Sequence, residues 1–187
     1  PADAQNCKPS ASVKDKITKV QITEWAQGLY QTGLMAKALV TTSEINISGS
    51  IARIGDANTV NIILSKSETN TARAVLESPY KAEKGNEFFF GFKEGGDPLR
   101  FTADEVSNNV AADILGKLNT RVVLTAHISN EGLRALKDSL ANKNIDAVRV
   151  SLANNLTIEK SVNDRNGKQF VEKIGCFLAF AEKGSMK

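Results

Sequence analysis

Apolar and polar residues alternate over several short stretches of the chain. In INISGSI, Ile45 and Ile47 alternate with polar neighbours, and Gly49 marks a bend or bulge. TVNIILS at 59–65 is rich in β-branched residues and follows GDAN, a turn signal. TARAVLE reads as the next strand and stops before Ser78-Pro79, because proline cannot donate to a ladder. RVVLTAHIS puts Val122, Leu124, Ala126 and Ile128 on one face, with Val123, Thr125 and His127 on the other. IDAVRVSL sends Val148, Val150 and Leu152 one way, and KIGCFLAF aligns Ile174, Cys176, Leu178 and Phe180 as a closing strand.

Helical spacing shows in two places. After Ser129, a candidate N-cap, Leu133, Leu136 and Leu140 recur at three- and four-residue steps, with Glu131 in the first turn. Thr102 and Glu105 have capping-box spacing, and Val106, Val110, Ile114 and Leu118 follow every four residues, which predicts a second helix. The first forty residues are ambiguous: Ile17, Val20 and Ile22 could open a strand, and TEWAQGLYQTGLMAKAL fits either element. Five of the eight phenylalanines lie between residues 86 and 101. In EFFFGF, Phe88, Phe90 and Phe92 share one face and Phe89 takes the other, while KEGGDP turns the chain and Leu99 and Phe101 return on a second arm. Three large aromatics on one face suit an inward-facing core strand, which leaves Phe89 as a candidate surface contact.

Eight to ten short strands with one or two short helices favour an antiparallel β-sandwich over a parallel sheet, which would need a helix between most strands. With 187 residues the chain suits one domain over 13–187, preceded by a leader at 1–12. Hydrophobic residues at 41% and charged residues at 24% are ordinary for a globular protein. The net charge of +3 is spread along the chain, with one small lysine cluster at 14, 16 and 19, so no nucleic-acid footprint is expected. A weak preference for anionic surfaces, lipid head groups or sialylated glycans, is compatible with it.

Ala2-Asp3-Ala4 before Gln5 fits the A-x-A pattern of a signal-peptidase site, and points to export. The chain has two cysteines, Cys7 in a polar leader and Cys176 among apolar residues. In an exported protein the leader thiol would be paired, and a Cys7–Cys176 bridge would close nearly the whole chain into a loop.

Chemistry is sparse. The single imidazole, His127, falls on the more polar face of its strand, and no G-x-S-x-G elbow accompanies it. One histidine and two distant cysteines cannot build a closed zinc site, and the glycines of GFKEGGD have neither P-loop nor dinucleotide spacing. No catalytic residue, metal or cofactor is expected. A glycosidase-like pair among the twenty-one acids carries no weight. Trp25 and Tyr30 in EWAQGLYQ form the second aromatic cluster and, with Phe89, the candidate contact residues.

From residue 59 onward the order of segments resembles the invasion-associated locus B family of exported proteobacterial proteins. TVNIILSKSETNTARAVLESPYKAEKGNEFFFGF is similar to the family's β-branched strand followed by a leucine, a proline and a glycine, here Pro79 and Gly85. ISNEGLRALKDSLANKNIDAVRVSL resembles its leucine-bearing helix and strand, and NDRNGKQFVEKIGCFLAFAEK its closing stretch. The chain departs from the family in having no cysteine after Trp25 and no further cysteine pair before the helix, so no disulfide pattern is taken from it. The resemblance implies a β-sandwich-like exported protein linked to bacterial entry into host cells, without a known enzymatic mechanism, and it names no catalytic residues to carry over.

The resulting expectation is a non-enzymatic virulence factor in the periplasm, on the outer membrane surface or secreted. It would act by surface binding to a host-cell protein or glycan, with peripheral membrane association open. The alternatives are a periplasmic envelope-structural or chaperone-like protein without host contact and, less favoured, a hydrolase.

Overall fold

The computed structural model describes residues 7–32, 43–69, 78–112 and 117–184. Ten strands are present among them: β1 Ala11–Lys14, β2 Gln21–Gln31, β3 Ser43–Ile54, β4 Ala57–Thr69, β5 Glu87–Phe92, β6 Leu99–Thr102, β7 Glu105–Ala112, β8 Lys117–Ile128, β9 Ile145–Ser151 and β10 Thr157–Ser161. Two α-helices accompany them, α1 Asn130–Ser139 and α2 Asp164–Gly184. The strands form two antiparallel sheets, a curled six-stranded one in the order β1-β2-β3-β4-β8-β7 and a four-stranded one in the order β10-β9-β5-β6. The architecture is the mainly β, sandwich-like one that the alternation predicts. TARAVLE lies outside the described residues.

The larger sheet is built from matched apolar rungs. Ile47 pairs with Leu64, which pairs with Val122; Ile51 pairs with Val60, which pairs with Ala126. All six side chains are buried, so one register satisfies the inner face of three strands at once. On the smaller sheet Phe88, Phe90 and Phe92 point inward and are buried as expected, paired to the returning arm through Phe88–Phe101 and Phe90–Leu99. Phe88 stacks on Phe101 with centroids 5.2 Å apart. The aromatic concentration at 86–101 is therefore mainly core. The intervening turn uses Gly95 and Gly96 at φ 76° and 93°, a region open to glycine.

Helix α1 also forms where expected. The Ser129 hydroxyl accepts from the Gly132 amide at 3.1 Å, and Leu133 and Leu136 are buried.

Two expectations are corrected. The expected helix after Thr102 does not form over the described residues, because Glu105–Ala112 is the edge strand β7; Ile114 lies outside the described residues. A four-residue spacing also keeps Val106 and Val110 on one face of a strand, so period four does not separate the two elements. KIGCFLAF is not a strand but the second half of the 21-residue helix α2. The short apolar run fits both periods, and the deciding signal stands upstream. Asn163 caps the helix, accepting the Asn166 amide on its side chain at 2.8 Å and the Gly167 amide on its carbonyl at 3.0 Å. Phe170, Ile174, Phe177 and Ala181 then share a buried helical stripe.

Helix α2 closes the space between the sheets. Phe170 meets Phe90 of the smaller sheet edge-on at 5.3 Å. On the larger sheet its ring occupies the place a Cβ at Gly49 would need, 2.6 Å from Cζ. Gly49 therefore serves close approach rather than a bulge; the irregularity lies on the facing strand, between Gly28 and Tyr30.

The start of α2 is held by Asp164. Its carboxylate receives Lys168 at 2.9 Å, Lys93 at 3.0 Å and the Asn144 amide at 2.8 Å. The bonds from Lys168 and then Lys93 lower its pKa from the ordinary 3.8 to about 2. A depressed folded-state pKa means a contribution that is complete above the unfolded value and is lost as pH falls through the folded one. Wild-type thermal stability is thus expected to drop between about pH 4 and pH 2 by more than that of Asp164→Asn, measured as melting temperature against pH. Parallel acid limbs for the two proteins would show that the carboxylate contributes nothing.

Candidate binding surface

The two sulfurs are joined: Cys7 and Cys176 form a disulfide across a sequence separation of 169. The bridge ties the leader to the middle of α2. Beyond it, the Ser10 hydroxyl accepts from the Ala26 amide at 2.9 Å, and β1 pairs with β2. Residues 7–12, expected as a flexible leader, are thus docked on the sheet.

The three candidate contact residues do not converge. Trp25 is 2% exposed, packed against Phe177 and Phe180 with centroids at 5.7 and 5.3 Å. Its indole N–H donates to the Cys7 carbonyl at 3.4 Å. It is a core residue beside the disulfide, not a surface contact. An indole needs a partner when buried, and the leader's backbone supplies one. Phe89 is half-buried on the outer face of the smaller sheet, flanked across its strand by Arg100 and Arg149, each 5.9 Å from the ring centroid. Arg100 Nε bonds Glu87 at 2.8 Å and Arg149 Nε bonds Glu159 at 2.6 Å. The ring is held in a charge-balanced ladder.

Tyr30 is half-buried at the rim of the core, with the Lys160 ammonium 5.2 Å from its ring centroid. It lines a hollow of about 400 Å³ together with Gln27, Gln31, Asn46, Ser48 and Ser65. A second hollow of about 350 Å³ adjoins it, sharing Asn46 and Ser65 and adding Asn109, Asn119 and Arg121.

The registers explain why these groups meet. Gln31 pairs with Asn46, Asn46 with Ser65, Ser65 with Arg121, and Arg121 with Asn109. The five residues form one row across β2, β3, β4, β8 and β7, on the face opposite Ile47, Leu64 and Val122. At ~4.8 Å per strand the row is about 19 Å long. Its groups are neutral amides and a hydroxyl with one guanidinium. Lys66, next to Ser65, faces inward, bonded to the Tyr80 hydroxyl at 2.7 Å and to Glu68 at 2.6 Å. Sequence reasoning missed this row. The polar half of each alternating stretch was visible, but register across non-adjacent strands leaves no local signal.

His127 lies on the outer face of the larger sheet, beside Thr125 in the alternation as expected. Its Nδ1 is 2.8 Å from Asp104 Oδ1, and its backbone amide donates to Oδ2 at 3.0 Å. Desolvation pushes the Asp104 carboxyl up, but the hydrogen bonds from His127 outweigh it and leave the group below the ordinary range. The pair anchors the start of β7 to the end of β8.

Among the described residues no group of three or more His, Cys, Asp or Glu is placed to hold a metal ion. No described helix is long and apolar enough to cross a membrane. The class that emerges is a disulfide-closed antiparallel β protein with a polar row on its larger sheet. No protein-family model, curated protein or solved structure matches the chain.

Proposed function

We propose that this chain is an exported binding protein that acts by surface contact, using the larger sheet's outer face. The observation that carries the reading is the row Gln31, Asn46, Ser65, Arg121 and Asn109 over two adjoining hollows. The paired strands fix the spacing of these amide and hydroxyl side chains, so a partner's polar groups meet donors and acceptors at set intervals and only the side-chain rotamers remain to be ordered. A single guanidinium in a neutral row suits a polar partner such as a glycan or a protein surface rather than a polyanion. The disulfide is compatible with an oxidising compartment. The resemblance to the invasion-associated locus B family adds the setting, contact with host cells during bacterial entry.

The test is saturable binding of the labelled, oxidised protein to red-cell and epithelial membranes. The expected result is saturable binding that the Asn46→Ala/Asn109→Ala double variant weakens by about thirtyfold, each of the two lost polar contacts being worth about 1 kcal/mol. Binding that is absent, or that the double variant leaves unchanged, would overturn the assignment of the face.

A further inference from the structure

Among the described residues four strands end the two sheets, and three of them are short and charged. β1 is ASVK, β6 is LRFT and β10 is TIEKS. β7 is EVSNNVAA, eight residues that hold neither charge nor proline after Glu105. Edge strands present unpaired N–H and C=O groups that template another strand, and natural sheets blunt them by shortness, charge, proline or cover. Beyond its first residue β7 has none of the first three. It also lies open, since Ser107, Asn108, Asn109, Ala111 and Ala112 are all exposed. Asn108 does engage the rest of the chain: its amide accepts from Ala82 N–H at 2.8 Å and donates to Ala82 C=O at 2.9 Å. Those bonds use the side chain on the inner face, not the main chain of the strand.

We infer that β7 is the interface for a second copy of this chain, paired antiparallel about a twofold axis at Asn108. Any residue-centred twofold keeps the faces matched, and Asn108 is the centre that sets the two inward valines opposite one another. A twofold axis perpendicular to the sheet places residues of the same face opposite one another. Val106, Asn108 and Val110 face inward, since they pair with Leu124, Val122 and Thr120 of β8. Centring on Asn108 sets Val106 opposite Val110 of the second copy, Asn108 opposite Asn108, and Ser107 opposite Asn109. Glu105 meets Ala111, so no charge faces a like charge. Two six-stranded sheets become one continuous sheet with apolar pairs on the inner side. Because Asn109 also ends the polar row, pairing brings the rows of the two copies together across the axis. A bivalent surface of that kind gains avidity without new contacts.

Sedimentation of three full-length proteins tests this, with thermal melts to show that all three keep the fold. In wild type a concentration-dependent monomer–dimer equilibrium is expected. Ser107→Lys/Asn109→Lys puts lysine opposite lysine and is expected to weaken the dimer by at least about tenfold. Ser107→Lys/Asn109→Glu puts lysine opposite glutamate and is expected to return it to within about threefold of wild type. A wild-type chain that stays monomeric at hundreds of micromolar, including one that takes up an extended foreign peptide on β7 instead, overturns the inference. So does a dimer indifferent to both variants, or a lysine–glutamate variant as weak as the double lysine.

Discussion

Gly167→Ala is expected to cost about 3 kcal/mol or more of folding stability, or to abolish folding. In most helices the same change gains close to 1 kcal/mol, because alanine is the better helix former. Here the sign reverses through contact. A Cβ at Gly167 would lie 1.8 Å from the Ile145 carbonyl oxygen, 2.9 Å from its carbonyl carbon and 2.8 Å from Asn144 Oδ1. None of those atoms is free to move: Ile145 is fully buried and paired with Phe92 in the smaller sheet, and Asn144 is bonded to Asp164. The helix must therefore lift, and lifting it withdraws Phe170 from its place over Gly49. Gly175 supplies the control. It lies in the same helix with nothing within 4 Å of its would-be Cβ, and Gly175→Ala is expected to stabilise by about 0.5–1 kcal/mol. Urea midpoints of the two variants should move in opposite directions; a shift in the same direction would contradict the close approach.

The second large effect is that of the disulfide. Joining residues 169 apart constrains almost the entire unfolded chain, worth about 5 kcal/mol in the chain-entropy treatment. Against a typical total of about 5–15 kcal/mol, Cys7→Ser/Cys176→Ser is expected to leave little folded protein at 37 °C. The loss has a local part as well. Cys7 supplies the acceptor for the buried Trp25 indole, so releasing the leader exposes an aromatic cluster of Trp25, Phe177 and Phe180. Reduced wild type and the double variant should unfold at the same urea concentration, well below oxidised wild type. A reduced protein as stable as the oxidised one would remove the bridge from the account.

What the sequence revealed depended on whether a signal was local. β4 was legible as a strand from its β-branched residues but not by face, whereas the inner faces of β3, β5, β8 and β9 were legible because alternation of large apolar residues has one good solution, an inward-facing strand. The hairpin at 86–101 and the N-cap at Ser129 were legible for the same reason. The pairing of Cys7 with Cys176 followed from there being two cysteines and from where they sit. α2 was misread because Ile174 to Phe180 is an unbroken apolar run that fits both periods, although only Ile174, Cys176, Phe177 and Leu178 of it are buried. Its cap at Asn163 was the better guide. β7 was misread because its two valines satisfy both periods. The polar row was hidden because it depends on which strands become neighbours. Trp25 read as a surface aromatic because the strand carrying it is bordered by polar residues, although its indole turns inward.

The central structural claim is that a carboxy-terminal helix, fastened to the leader by one disulfide, closes the sandwich. Amide hydrogen exchange across residues 164–184, before and after reduction, tests it most directly. Slow exchange over this segment is expected in the oxidised protein, comparable with β3, β4 and β8, with that protection the first to be lost when the bridge is reduced. Rapid exchange across 164–184 in the oxidised protein, or protection that reduction leaves untouched, would contradict it.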